Sequence, residues 1–350
     1  MLAPPKAKLI AKFVIWGNYP SSITLGGVCL TKILKKFEQN YLNCLTSKVI
    51  SCFKISNVPF ELFMYRAYEN PKDIFDQFLL FNKKRWQCKN NILIPEDLKL
   101  LDIELIHKDE VEFDSLKKII RQESQVSNMV FVAFDTFYLV HKNEEYLKKH
   151  QSHWVIVSYN KTSNLYYVLD DSSNGKGDFR EHVYDEKSLK IAFENNSIKS
   201  YRYYSIKTDI NKLDVYTTIF LNKACDYYLK SEISLAYYDL IPISIMENWG
   251  NSDKLNTLLD QIIEGLAYLA GSRYLSQLFF KFIDQIYEVQ DLLETINEEL
   301  NIIKLILLKS KVTNKINISD LQERFNNVKE NESLLLTYIK LYSKKNISGH

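Results

Sequence analysis

The sequence predicts an α+β domain followed by an all-helical one. Short runs rich in aromatic and β-branched residues crowd the segment from 129 to 206, whereas apolar residues beyond 207 recur at helical three/four spacing. A length of 350 residues also suits about two domains at roughly 100–200 residues each. The boundaries drawn from this texture are 1–206 and 207–350.

In chain order, the first element is a helix from about Val28, where Leu30, Ile33, Leu34 and Phe37 form one apolar stripe. Met129–Tyr138, His153–Tyr159, Leu165–Leu169 and Tyr201–Ile206 are expected strands, each bounded by polar turns. The second and third flank Asn160–Asn164 and read as an antiparallel hairpin. In the helical part, Leu255, Leu258, Leu259, Ile262, Ile263, Leu266 and Leu269 lie on one helix face. Phe282, Ile286, Val289, Leu293, Ile296, Leu300, Ile303 and Leu307 then alternate steps of four and three. This heptad seam is about 39 Å long at about 1.5 Å per residue. Such a seam serves either a homodimer through a coiled coil or a long helix in an intramolecular bundle, for which other helices are on hand. A last amphipathic helix includes Leu334–Leu341.

Composition excludes several function classes. With Lys+Arg at 45 against Asp+Glu at 43, the net charge is +2, and only seven basic residues are Arg. Nucleic-acid binding has little electrostatic support. No run of about 18 apolar residues is present, so no membrane span is expected. Five irregularly spaced cysteines do not form a secreted disulfide framework, which points to the cytoplasm with thiols reduced.

The sharpest local pattern is Thr24-Leu-Gly-Gly-Val-Cys29. It sets Cys29 in the first turn of the expected helix behind two of only nine glycines. Glycine lets the backbone approach closely where unpaired N–H groups gather, and the helix dipole there favours thiolate. Cys44, Cys52, Cys88 and Cys225 lack this setting and read as core or incidental. A catalytic thiolate needs an imidazole held by a further group. Of six histidines, only His153 opens a strand, while His107, His141 and His182 read as exposed loop residues. The returning strand ends in Asp170-Asp171. A simple five-residue loop pairs His153 with Asp171, and a one-residue bulge moves the pairing to Asp170. The His150/His153 spacing invites a metal reading, but no further ligand cluster is near, and no metal or other cofactor is expected.

A helix-start Cys, a strand-leading His over 100 residues later and an Asp on the next strand resemble the papain-like fold. The run His153-Trp-Val-Ile-Val157, with Asp170 17 residues after the His, is similar to that of bacteriocin-processing cysteine peptidases. Phe131–Leu139, Tyr146–His150 and His153 through Asp170 resemble the butirosin-biosynthesis acyltransferase family, with its Asp-aromatic-Leu element before a His-x-x-His strand. Cysteine-protease-like amide synthetases of closthioamide-type assembly are a member class of similar kind. The resemblance implies a papain-like domain over 1–206 and transfer of an acyl group from a carrier-protein thioester to a small amine. It makes Cys29 the nucleophile, His153 the base and then acid, and Asp170 the orienting group. The substrate arrives on a carrier protein's phosphopantetheine, so no bound cofactor is implied. Papain-like peptidases place a Gln some six residues before the Cys, where this chain has Ile23. That departure counts against ordinary peptidase action more than against transfer from an activated thioester. The competing readings are hydrolysis by the same triad and a non-catalytic adaptor.

Overall fold

The computed structural model describes residues 37, 40–126, 128–142, 149–171, 179–283 and 286–348, and it is α+β. The described residues divide into two compact units interleaved in sequence. The first runs from Asp109 to Asp170 and from Arg180 to Tyr201. The second holds the described residues up to Lys108, then Asp171 and Phe179, then everything from Arg202 onward. The stretch 1–206 thus supplies residues to both units, and 207 onward belongs to the second. Cys29 and the helix expected from Val28 lie outside the described residues.

The first unit is built on strands β2 (Val130–Asp135), β3 (Ser152–Asn160), β4 (Leu165–Asp171) and β5 (Phe179–Tyr184), side by side in that order. β2 and β3 pair antiparallel from Val130↔Val157 to Asp135↔Ser152. All six residues of β2 are buried, which its unbroken apolar run requires of a covered strand. Helices α2 (Phe113–Gln125) and α3 (Glu186–Glu194) pack on the sheet. α2 buries Phe113, Leu116 and Ile120, a three/four stripe. α3 is capped by Asp185, whose carboxylate accepts the Ser188 N–H at 2.7 Å, and buries Leu189, Ala192 and Phe193.

The strand expected over Met129–Tyr138 stops at Asp135. Its carboxylate accepts the Phe137 N–H at 3.0 Å and turns Thr136–Tyr138 into a 3-10 turn. The β3–β4 hairpin closes through a four-residue turn, 161–164. Asn160 Oδ1 accepts the Thr162 and Ser163 N–H groups at 2.9 and 3.2 Å, and Asn164 takes a left-handed φ of 56°.

The second unit holds α1 (Cys44–Ile55), the neighbouring strands β1 (Ile103–Lys108) and β6 (Tyr201–Ile206), and five long helices. These are α4 (Leu213–Lys230), α5 (Tyr237–Asn248), α6 (Ser252–Ile283), α7 (Tyr287–Thr313) and α8 (Ile318–Ser348). The heptad seam is divided rather than continuous. Phe282 belongs to α6, while Ile286 caps α7 with a non-helical backbone, φ −136° and ψ 83°. From Val289 to Leu307 the seam residues are fully buried, because α6 and α8 cover them within the chain. Arg273 of α6 and Glu332 of α8 form a buried ion pair at 2.7 Å, and Tyr68 and Tyr238 donate to the same carboxylate. No described helix is long and apolar enough to cross a membrane.

Candidate active site

His153 and Asp170 meet in the first unit. The hairpin register pairs Ile156 with Leu169. Its next step sets Asp170 opposite Val155, on the face that His153 shares two residues further along. The contact is therefore diagonal, and the four-residue turn, not a bulge, selects Asp170. His153 Nε2 lies 2.7 Å from Asp170 Oδ1, with the carboxyl side chain fully buried and the imidazole 18% exposed. A carboxylate only accepts hydrogen bonds, so Nε2 carries the proton and Nδ1 of the neutral ring is an acceptor.

Two further side chains, His141 and Lys142, complete the surroundings of Asp170. Lys142 Nζ sits 2.6 Å from Oδ2 and His141 Nε2 2.9 Å from the same oxygen, both side chains almost fully buried. His141 Nδ1 is 2.7 Å from the Tyr184 hydroxyl. Its ring stacks on His182 with centroids 3.9 Å apart and planes 11° from parallel. The expectation that His141 and His182 are exposed is thus corrected: β5 brings His182 and Tyr184 against His141 in the segment that follows the 3-10 turn, a juxtaposition invisible to local charge patterns. Burial raises the Tyr184 phenol to about 12, so it keeps its proton and donates to His141.

Burial, then the neighbouring His141, pushes His182 down to about 4. A histidine lowered on folding stabilises the protein above its unfolded value near 6.5, and that stability is lost as pH falls through about 4. His182→Phe, which keeps the stacked ring but cannot titrate, is expected to flatten the loss of stability between pH 6.5 and 4. Urea midpoints at a series of pH values measure it.

His150 bonds a different carboxylate, Asp135 Oδ2, at 2.7 Å and stacks on Phe137. The two histidines of the His-x-x-His pattern therefore do not converge on one ligand. His153 and Asp170 are of metal-binding type, but the Lys142 ammonium on the same carboxylate opposes a cation there.

In the second unit the sequence reading passed over Cys44. It is the first residue of α1, behind the cap Asn43, whose Oδ1 accepts the Thr46 N–H at 2.9 Å. Its thiol donates to Asp171, 3.0 Å from Oδ2, and Lys48 Nζ lies 3.4 Å from Oδ1 of that carboxylate. Among the four described cysteines Cys44 alone is partly exposed. Burial raises the thiols of Cys52 and Cys225 and lifts Cys88 to about 11, which keeps them unreactive. The helix start at Asn43-Cys44 with Thr46 was the available clue in sequence; it has no glycine to draw attention.

No family profile matches the chain. The chain is similar, at 23% identity over 144 residues, to a ribostamycin:4-(gamma-L-glutamylamino)-(S)-2-hydroxybutanoyl-[BtrI acyl-carrier protein] 4-(gamma-L-glutamylamino)-(S)-2-hydroxybutanoate transferase of Niallia circulans. The match covers 41% of this chain and 46% of that enzyme. It spans less than half the length of its relative.

Proposed function

We propose that this protein is a cysteine-dependent acyltransferase of papain-like type, moving an acyl group from a carrier-protein thioester to an amine in specialised-metabolite assembly. The single observation that carries the reading is the His153–Asp170 pair, a part-exposed imidazole oriented by a buried carboxylate at 2.7 Å. Similarity to a transferase that acts on an acyl-carrier protein supports the donor class.

A cysteine thiolate attacks the thioester carbonyl, the bond from that carbon to the pantetheine sulfur breaks, and the imidazolium of His153 returns the thiol proton to the leaving sulfur. The amine then attacks the acyl-enzyme, His153 accepts its proton, and the regenerated cysteine takes that proton back as the amide departs. N–H groups at a helix start stabilise the oxyanion of each step. Thioester-to-amide exchange is downhill, so the reaction needs neither nucleotide nor metal.

On the reading drawn from sequence, Cys29 is the nucleophile. A second reading puts the acyl group on Cys44. What favours it is a partly exposed thiol in the first turn of α1, behind the cap Asn43, where the helix dipole favours thiolate. Intact mass after mixing the protein with an acyl-loaded carrier is expected to show one added acyl group. Cys29→Ala abolishes it on the first reading and Cys44→Ala on the second. An adduct that survives in the double variant overturns the cysteine acyl-enzyme. Adding a diamine is expected to clear the adduct as amide; release as free acid alone establishes hydrolysis instead.

A further inference from the structure

We propose that Lys142 and His141 are positioning residues that act on His153 through Asp170, fixing the carboxylate and restraining the proton affinity of the ring. The inference rests on the acyl-transfer reading for its role in catalysis, and on geometry alone for its effect on His153.

Asp170 is fully buried, and its two oxygens are divided between two tasks. Oδ2 receives Lys142 at 2.6 Å and His141 at 2.9 Å, while Oδ1 receives His153 at 2.7 Å. Rotation of the carboxylate would break the two contacts on Oδ2, so Oδ1 stays aimed at the imidazole. His141 is itself held at both ends, by Asp170 on Nε2 and by the Tyr184 hydroxyl on Nδ1, with His182 against its face. This support keeps the base in one orientation, the condition for proton transfer at a defined atom.

The charge argument concerns Lys142. A buried carboxylate bonded to a histidine stabilises the imidazolium, and a general base must be neutral at working pH. The Lys142 ammonium offsets that pull from the far side of the carboxylate. The charged and titratable groups of this network are Asp170 on β4, which meets His153, Lys142 and His141 after β2, Tyr184 and His182 on β5 against His141, and Arg180, whose charge acts on His182. Along the chain from Asp170 comes Asp171, with its own partners Lys48 and Cys44. Of these, Lys142 is the cation that touches Asp170 at the shortest distance.

The test is made on the full chain. Lys142→Gln keeps an N–H for Oδ2 and removes the charge; Lys142→Met removes both. The His153 midpoint is read by NMR of carbon-13-labelled histidine without substrate, and the pH profile of acyl transfer is read with a loaded carrier. In both variants the midpoint is expected to rise by about one unit, as for a carboxylate freed of a neighbouring opposite charge. The acid limb of the rate profile moves to higher pH by the same amount, and Lys142→Arg restores both. An unmoved midpoint in a folded Lys142 variant overturns the charge role. His141→Leu is expected to lower kcat at least tenfold with KM unchanged, and His141→Gln to recover most of it. Wild-type kcat in His141→Leu overturns the positioning role even where the lysine variants fail to fold. A raised midpoint with no acyl transfer by any form, wild type included, overturns the acyl-transfer reading and leaves the action of Lys142 on His153 standing.

Discussion

Asp170→Ala is expected to lower stability by about 3–5 kcal/mol and, on the proposed function, to end acyl transfer. The side chain it removes is fully buried and is the partner of Lys142, whose own side chain is 1% exposed. Losing one member of a buried pair leaves the other charge without compensation, and that penalty exceeds the net worth of the pair. His141 and His153 lose their acceptor in the same step. The double variant Asp170→Ala/Lys142→Met removes both charges and is expected to recover most of the stability while remaining inactive, since His153 still lacks its orienting group. Urea denaturation of the two variants, with acylation by a loaded carrier, measures both halves. A single variant as stable as the wild type would contradict the buried ion pair.

Glu332→Ala is expected to cost a comparable amount, about 3–5 kcal/mol, without chemistry being involved. Glu332 and Arg273 are both fully buried, joined at 2.7 and 3.2 Å. The guanidinium also lies over Tyr68, 3.6 Å from the ring centroid, and donates to the Glu69 carbonyl at 2.9 Å. Removing the carboxylate strands the Arg273 charge inside α6 and leaves the Tyr68 and Tyr238 hydroxyls without their acceptor. Arg273→Met in the Glu332→Ala background is expected to return part of the loss, which distinguishes an uncompensated charge from a mere cavity. The readout is the shift of the urea midpoint at constant slope.

Three of the strands could be read almost residue by residue. β3, β4 and β6 were announced by β-branched and aromatic runs, and their polar turns set the limits. β2 was drawn too long because Asp135 ends it by bonding its own backbone, a choice that depends on one side chain and not on a pattern. β1 and β5 escaped notice. Ile103–Lys108 buries only its first residue, and Phe179–Tyr184 alternates weakly, so neither has the period that betrays a half-buried strand. The seam from Val289 onward was evident, but its interruption before Ile286 was not, since spacing records which residues face a partner and not where the backbone leaves the helix.

By itself the sequence determined β3, β4, β6 and the buried faces of the long carboxy-terminal helices, because in those segments the helix and strand periods are written in the order of apolar residues. It also determined His153 as the strand-leading imidazole, from the residues that follow it. Only the tertiary structure decided what surrounds Asp170. The choice between two consecutive aspartates came from the number of residues in one turn. The company of Lys142 and His141, with Tyr184 behind His141, came from segments that meet only after folding, where a carboxylate shut away from water must gather its donors from whatever part of the chain lies within reach.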